Sequence, residues 1–293
     1  MTSDWVDAVE DIDQDTVDTQ GPEYPYIQWV NGKRELRPAG GIPYTGGWFM
    51  PASQVEAGML PGWNAGELVH RGGGSTDGFF RRDLTVAIIR NRRCWVINVG
   101  DDYQLFPWQK YDGAKRMGKP TGKLQSLVLV KDLEGLGAVI LTMKGSTSRA
   151  FAPSRRGDSV MNAFHRCVIT EANKLVIRKN GKVPGKFPYR AFWLTVGPER
   201  NADETPAYTT VGSGTSSSPV TLPTALGLTD RMDKAALGTL FVGRETLEWV
   251  NELYRDAEAW ATAWDTLEQR EPVAAVNGLA PVDDEDDGGE VPF

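Results

Sequence analysis

Two cysteines and two histidines in 293 residues leave little material for thiol or metal chemistry. Cys94 and Cys167 cannot build a disulfide framework, so a reducing cytoplasm is the expected setting. His165-Arg166-Cys167 with Cys94 lacks the paired Cys-x-x-Cys spacing of a zinc site, and reads instead as a surface histidine beside a buried cysteine. No run of about 18 apolar residues is present, so no membrane span is expected. No basic patch followed by an apolar stretch opens the chain, so no secretory signal is visible. Gly118-Lys119 and Gly122-Lys123 lack the glycine and Ser/Thr placement of a phosphate loop, and no Gly-x-Ser-x-Gly elbow occurs. Asp101-Asp102 reads as a solvated turn. The sequence therefore predicts no catalytic residue, no metal, no cofactor and no enzyme activity.

What is present is charge, segregated along the chain. Lys and Arg number 32 against 39 Asp and Glu, a net −7. Residues 1–20 carry seven acids and no base; residues 201–293 carry 18 acids and 5 bases. The remaining 27 bases and 14 acids give residues 21–200 a net +13. A basic body thus sits between two acidic ends, and local charge is what a polyanion would meet.

Residues 1–22 read as an acidic mobile arm. Residues 23–199 read as the main domain. In it Tyr26–Val30 followed by Asn31-Gly32 predicts a strand and tight turn, and 62–78, with Gly72-Gly73-Gly74, a loop. Strands are predicted at 84–89, 94–99, 125–130 and 137–143. Val160, Met161, Phe164, Val168 and Ile169 share a helical face within 158–172. Leu175–Lys179 and Phe187–Val196 read as a closing pair of strands. Strands, a helix, then two more strands fit an OB-type Greek-key barrel with an N-terminal β extension, and also fit other barrels and sandwiches. Residues 200–228, with Gly212–Pro219, read as a linker. A long C-terminal helix is predicted within 229–271. Leu240, Leu247, Tyr254 and Ala261 recur every seven residues, a face that either packs on the barrel or self-associates. Residues 272–293 are a second linker with an acidic end.

The basic body interleaves cations with rings. One group is Arg90, Arg92, Arg93, Trp95, Tyr103, Phe106, Trp108, Lys110, Tyr111, Lys115, Arg116, Lys119 and Lys123. A second is Lys144, Arg149, Phe151, Arg155 and Arg156, and a third Arg178, Lys179, Lys182, Lys186, Phe187, Tyr189 and Arg190. Binding a single strand needs cations to neutralise phosphates and flat side chains to stack on bases. Residues 100–123, poor in aliphatics, read as a loop exposing its rings. Trp108 and Tyr111 are the favoured stacking residues there, while Phe192 and Trp193 are assigned to the core.

The chain ends Asp283-Asp284-Glu285-Asp286-Asp287-Gly288-Gly289-Glu290-Val291-Pro292-Phe293. An acidic run alone is usually a solvated tail. One that ends in aliphatic-Pro-Phe resembles the tip of bacterial and phage single-stranded DNA-binding proteins. Relative to that pattern, Gly288-Gly289 interrupts the acids, Glu290 replaces an Asp and Val291 an Ile, which points to a divergent phage, plasmid or mobile-element type. The resemblance implies non-specific coating of single-stranded DNA in a bacterial or phage-infected cell. It also implies recruitment of replication, recombination and repair proteins through Asp283, Asp284, Asp286, Asp287, Glu290, Val291, Pro292 and Phe293. Homo-oligomerisation stays open. The rival readings are a nuclease or recombination enzyme, which would need clustered carboxylates for Mg²⁺, and an adaptor without nucleic-acid binding.

Overall fold

The computed structural model describes residues 24–31, 36–38, 46–55, 60–69, 74–99, 102–154, 158–180, 187–203, 207–211 and 218–267. The acidic arm (1–22) and tip (283–293) lie outside the described residues, as do Arg155, Arg156, Lys182 and Lys186.

The strands in chain order are β1 (Tyr26–Val30), β2 (Leu36–Pro38), β3 (Gly47–Pro51), β4 (Asn64–Val69), β5 (Ser75–Arg81), β6 (Leu84–Val99) and β7 (Asp102–Pro107), then β8 (Thr121–Val130), β9 (Ala138–Lys144), β10 (Leu194–Pro198), β11 (Thr209–Val211), β12 (Ser218–Val220) and β13 (Pro223–Leu226). Eleven of them form one sheet, in the order β13-β10-β6-β8-β9-β1-β3-β5-β4-β2, with β7 added beside β6. The sheet is mixed because β1 runs parallel to β9 while its other described pairings are antiparallel.

It curls into a half-barrel. The indole of Trp48 in β3 donates to the carbonyl of Val196 in β10 at 3.0 Å, joining strands far apart in the sheet order. Trp29, edge-on to Trp48 with ring centroids 5.0 Å apart, donates likewise to the carbonyl of Thr221. Each ring buries apolar surface while its own N–H keeps a hydrogen-bond partner. The core inside the curl combines Leu84, Val86 and Ile88 of β6, Leu124, Val128 and Val130 of β8, and Val139 and Leu141 of β9 with Phe151, Phe164, Val168 and Leu194.

The sixteen-residue β6 holds the arrangement together. Ile88 pairs with Val128 and Arg90 with Leu127, so Ile89 is an extra residue. This bulge exchanges the faces. Before it the even-numbered side chains enter the core. After it Arg90, Arg92, Cys94 and Val96 point outward, and Asn91, Arg93, Trp95 and Ile97 inward. The sequence reading of two strands, 84–89 and 94–99, becomes one bent strand.

Helices α1 (Tyr111–Met117) and α2 (Gly145–Phe151) follow β7 and β9. Then come α3 (Val160–Phe164), a π-helical turn (His165–Ile169) and α4 (Thr170–Asn180). Ser159 caps α3 by accepting from the amide of Asn162. Leu175–Lys179, expected as a strand, belongs to α4. Ala172 and Leu175 extend the apolar face begun by Phe164 and Val168, and Asn173 accepts from the amide of Phe187, tying down the returning chain.

Other departures have local causes. Residues 62–78, expected as a loop, contain β4 and the start of β5, paired in register so that Gly66 faces Gly78. The expected linker 200–228 supplies β13, which pairs with β10, and the small β11–β12 ribbon. The expected long C-terminal helix is instead three: α5 (Lys234–Leu240), α6 (Arg244–Asp256) and α7 (Glu258–Thr262). Phe241-Val242-Gly243, where Gly243 takes φ +91°, breaks the first junction. α6 and α7 lie across the outside of β6 and β8. There Val250, Ala257 and Trp260 pack on Ala87, Ile89, Leu127 and Leu129. Leu247, Tyr254 and Ala261 of the heptad pattern lie against this cluster too. No helix among the described residues is long and apolar enough to cross a membrane.

A methyl group on Gly78 would collide with the Met50 carbonyl and the Phe49 ring, whereas one on Gly135 would meet open space. Gly78→Ala is expected to cost about 1–3 kcal/mol of stability, and Gly135→Ala no more than about 0.5 kcal/mol. Urea unfolding midpoints at unchanged slope check both.

Candidate nucleic-acid interface

The sequence-predicted residues fall on the two opposite faces of β6–β7–β8. This follows from the register: Trp95 opposes Phe106 on β7 and Gly122 on β8, while Cys94 opposes Lys123, and Asn98 opposes Tyr103.

On the inner face the indoles of Trp95 and Trp108 are stacked, with centroids 4.1 Å apart and planes at 8°. Trp95 also donates to the Trp108 carbonyl at 2.9 Å, pinning the turn after β7. Tyr111 tilts against Trp95 at 4.8 Å. Gly122 leaves room for this pair, since a Cβ there would sit 3.4 Å from the Trp108 ring. The Arg93 guanidinium lies 5.6 Å from the Trp108 centroid and donates to the Pro153 carbonyl. Burial lowers its pKa from the usual guanidinium range. Trp108 keeps 37 % of its surface exposed.

Within 100–123 the described residues, 102–123, hold β7, α1 and the start of β8 rather than a loop, and their apolar side chains divide accordingly. Phe106 is 4 % exposed and packs with Ile97 and Ala114. Phe151 is fully buried in the main core. Neither ring is available for stacking on a base. On α1 and its flanks, Lys110, Lys115, Arg116 and Lys119 are exposed, as is Arg149 on α2.

The outer face is organised by the helical strap α6–α7 and the turn after it. The Arg92 guanidinium lies between the rings of Trp260 and Trp264, 4.1 and 4.2 Å from their centroids. It donates to the Gln125 side chain at 2.8 Å and to the Trp260 carbonyl at 3.0 Å. Burial pulls its pKa down to about 10, with the Cys94 thiol acting weakly the other way, so it stays charged at neutral pH. Arg90 repeats the pattern over Tyr254, 3.8 Å from the centroid, and Arg190 approaches that ring at 4.0 Å. Arg92, a sequence-predicted DNA contact, is thus occupied in fastening the strap.

Beyond the strap the face opens. Tyr103 is 60 % exposed, and the ammonium groups of Lys123 and Lys144 each lie 6.0 Å from its ring centroid. The two lysines are cross-strand partners. Lys123 also lies 5.5 Å from the Trp264 ring. Burial first, then the like charge of Lys144, lowers the Lys123 pKa. Among the described residues no acid forms an ion pair with Arg93, Lys110, Lys115, Arg116, Lys119, Lys123, Lys144 or Arg149. Tyr189 stands apart: its hydroxyl lies 2.8 Å from Nδ1 of His165, and its ring tilts on Phe164.

Sequence reasoning missed Trp260, Trp264 and Asp265. Asp265 accepts a hydrogen bond from Gln109, next to Trp108, at 3.1 Å. The signal was the aromatic spacing Tyr254, Trp260, Trp264 opposite a strand carrying Arg90 and Arg92, but pairing the two needs the fold. Comparison with known protein families, characterised proteins and solved structures yields no match.

Lysine keeps the charge but not the planar, doubly stacked surface. Arg92→Lys is therefore expected to loosen the strap by about 1–3 kcal/mol. Hydrogen exchange should accelerate across residues 244–267 while the amides of β8 and β9 stay protected.

Proposed function

We propose that this chain binds single-stranded DNA without sequence preference and recruits replication, recombination or repair proteins through its C-terminal tip. The observation that carries the reading is Tyr103. It is an exposed ring flanked by two lysines, neither paired with a described acid, while four further exposed cations, Lys110, Lys115, Arg116 and Lys119, lie on α1 and its flanks across the sheet. Cations supply the sequence-independent attraction, and a ring accepts any base.

The topology supports an OB-like barrel as the scaffold. β6, β8 and β9 form a meander, helices follow, and β10 returns antiparallel to β6. The parallel partner of β9 comes from the N-terminal extension as β1, so the barrel in this reading borrows a strand from outside the usual order. The chain leaves the described region at Leu267, which packs beside Cys94, Val96 and Trp264. The segment leading to the acidic tip therefore starts next to the basic face. The tip, a polyanion, competes there with DNA and carries Phe293 and its carboxylate to partner proteins.

Titration with oligo-dT, followed by tryptophan fluorescence, tests the binding. Affinity is expected to fall roughly fiftyfold between 50 and 200 mM salt if four phosphates are neutralised. A flat salt dependence, or metal-dependent cleavage of the oligomer without stable binding, contradicts the reading.

Deleting residues 283–293 should leave the body folded, leave dT affinity equal or higher at low salt, and abolish capture of bacterial replication or repair proteins. Removing Phe293 alone should lose the partners and keep the competition. Changing Asp283, Asp284, Asp286 and Asp287 to Asn should relieve the competition and only weaken capture. Lower DNA affinity with every partner spared would make the tip a structural element.

A further inference from the structure

The candidate residues lie on two faces, and one short strand cannot lie flat on both. The inner group is closed in. Trp95 and Trp108 cover each other, α1 packs over Ile97 and Phe106, and Arg93 is tied to the Pro153 carbonyl. On the outer face the geometry differs. Like charges directly opposite on neighbouring strands destabilise a sheet, yet Lys123 and Lys144 are such a pair. No described acid pairs with either. An anion between them reverses the sign of that repulsion. The ring within reach of both, Tyr103, is the most exposed large apolar side chain among the described residues.

We propose that the outer face holds one nucleotide of a single strand, its phosphate shared by Lys123 and Lys144 and its base stacked on Tyr103. This rests on the single-strand reading above and assigns the strand's path to one face. Lys123 is placed by two rings: its ammonium lies 6.0 Å from the Tyr103 centroid and 5.5 Å from that of Trp264, which is buried. Trp264 is itself held by Arg92, so the strap fixes one edge of the subsite. An acidic peptide would use the two cations but leave the ring unused, and free phosphate would do the same. A nucleotide uses all three groups.

The test compares oligo-dT with an abasic deoxyribose-phosphate oligomer of equal length, on the full chain and on Tyr103→Ala, Tyr103→Phe, Lys123→Gln, Lys144→Gln and Lys144→Arg. Tyr103→Ala is expected to weaken dT binding roughly fivefold to a hundredfold and leave the abasic oligomer unaffected, while Tyr103→Phe binds as the parent does. Each Lys→Gln change should weaken both ligands and reduce the salt slope, the two changes together by roughly 0.7, the value for one phosphate on a single strand. Lys144→Arg should restore the slope. Tyr103 and Lys144 are exposed, so these variants keep the test decisive if Lys123→Gln fails to fold. Parent binding to dT with unchanged affinity in the Tyr103 and Lys144 variants overturns the subsite and leaves the single-strand reading standing. So does loss confined to Arg93→Gln or Trp108→Ala. Absence of dT binding by the parent overturns both.

Discussion

A single extra residue in β6 decides what the surface of this protein can do. Ile89 has no partner in β8, and its insertion exchanges the two faces of the strand halfway along its length. Without it, the parity that sends Leu84, Val86 and Ile88 into the core would continue through Arg90, Arg92 and Cys94. Arg90 and Arg92 would then face Trp95, Trp108 and α1, away from the rings of Tyr254, Trp260 and Trp264 that cover them. With it, the first half of β6 builds the half-barrel core and the second presents cations outward. The bulge also bends the strand, which lets its first half pair with β10 and its second with β7 along the same edge.

The outward arginines would still be poorly placed if left to water and to each other. The strap resolves this by laying Tyr254, Trp260 and Trp264 over them. Guanidinium on an aromatic face is one of the few ways to bury a cation without a carboxylate, because the ring quadrupole and the hydrogen bonds to Gln125 and a backbone carbonyl replace part of the lost hydration. Electrostatics are thus used twice on one face. Arg90 and Arg92 hold the C-terminal helices in place, and that leaves Lys123 and Lys144, at the open end, as the cations facing an exposed ring.

Much of the sheet was legible in the sequence because its strands carry a strong local signal. The β-branched and aromatic runs of β1, β6, β8 and β9 mark themselves, as does the apolar spacing of α3 and the π-helical turn. What could not be read depended on partners distant in the chain. Leu175–Lys179 has strand-like composition, but the helix before it and the Asn173 link to Phe187 keep it helical. β13 has no pattern of its own and exists because β10 offers it an edge. The candidate site was legible as composition and illegible as geometry. The sequence showed cations among rings, yet it could not say that Phe106 and Phe151 were core or that Arg92 was already occupied. Nor could it place Tyr103 and Trp108 on opposite faces. Those distinctions hang on strand parity, and an unsignalled bulge resets parity.

In the proposed function a single strand runs over the open outer face beside the strap. Photo-cross-linking reads this most directly: an oligo-dT carrying 5-iodo-deoxyuridine is irradiated with the full chain, and the linked peptides are identified by mass spectrometry. Attachment is expected within Asp102–Pro107, at Tyr103. Attachment confined to Trp108 and Tyr111, or to the β2, β4 and β5 strands of the N-terminal extension, would contradict it.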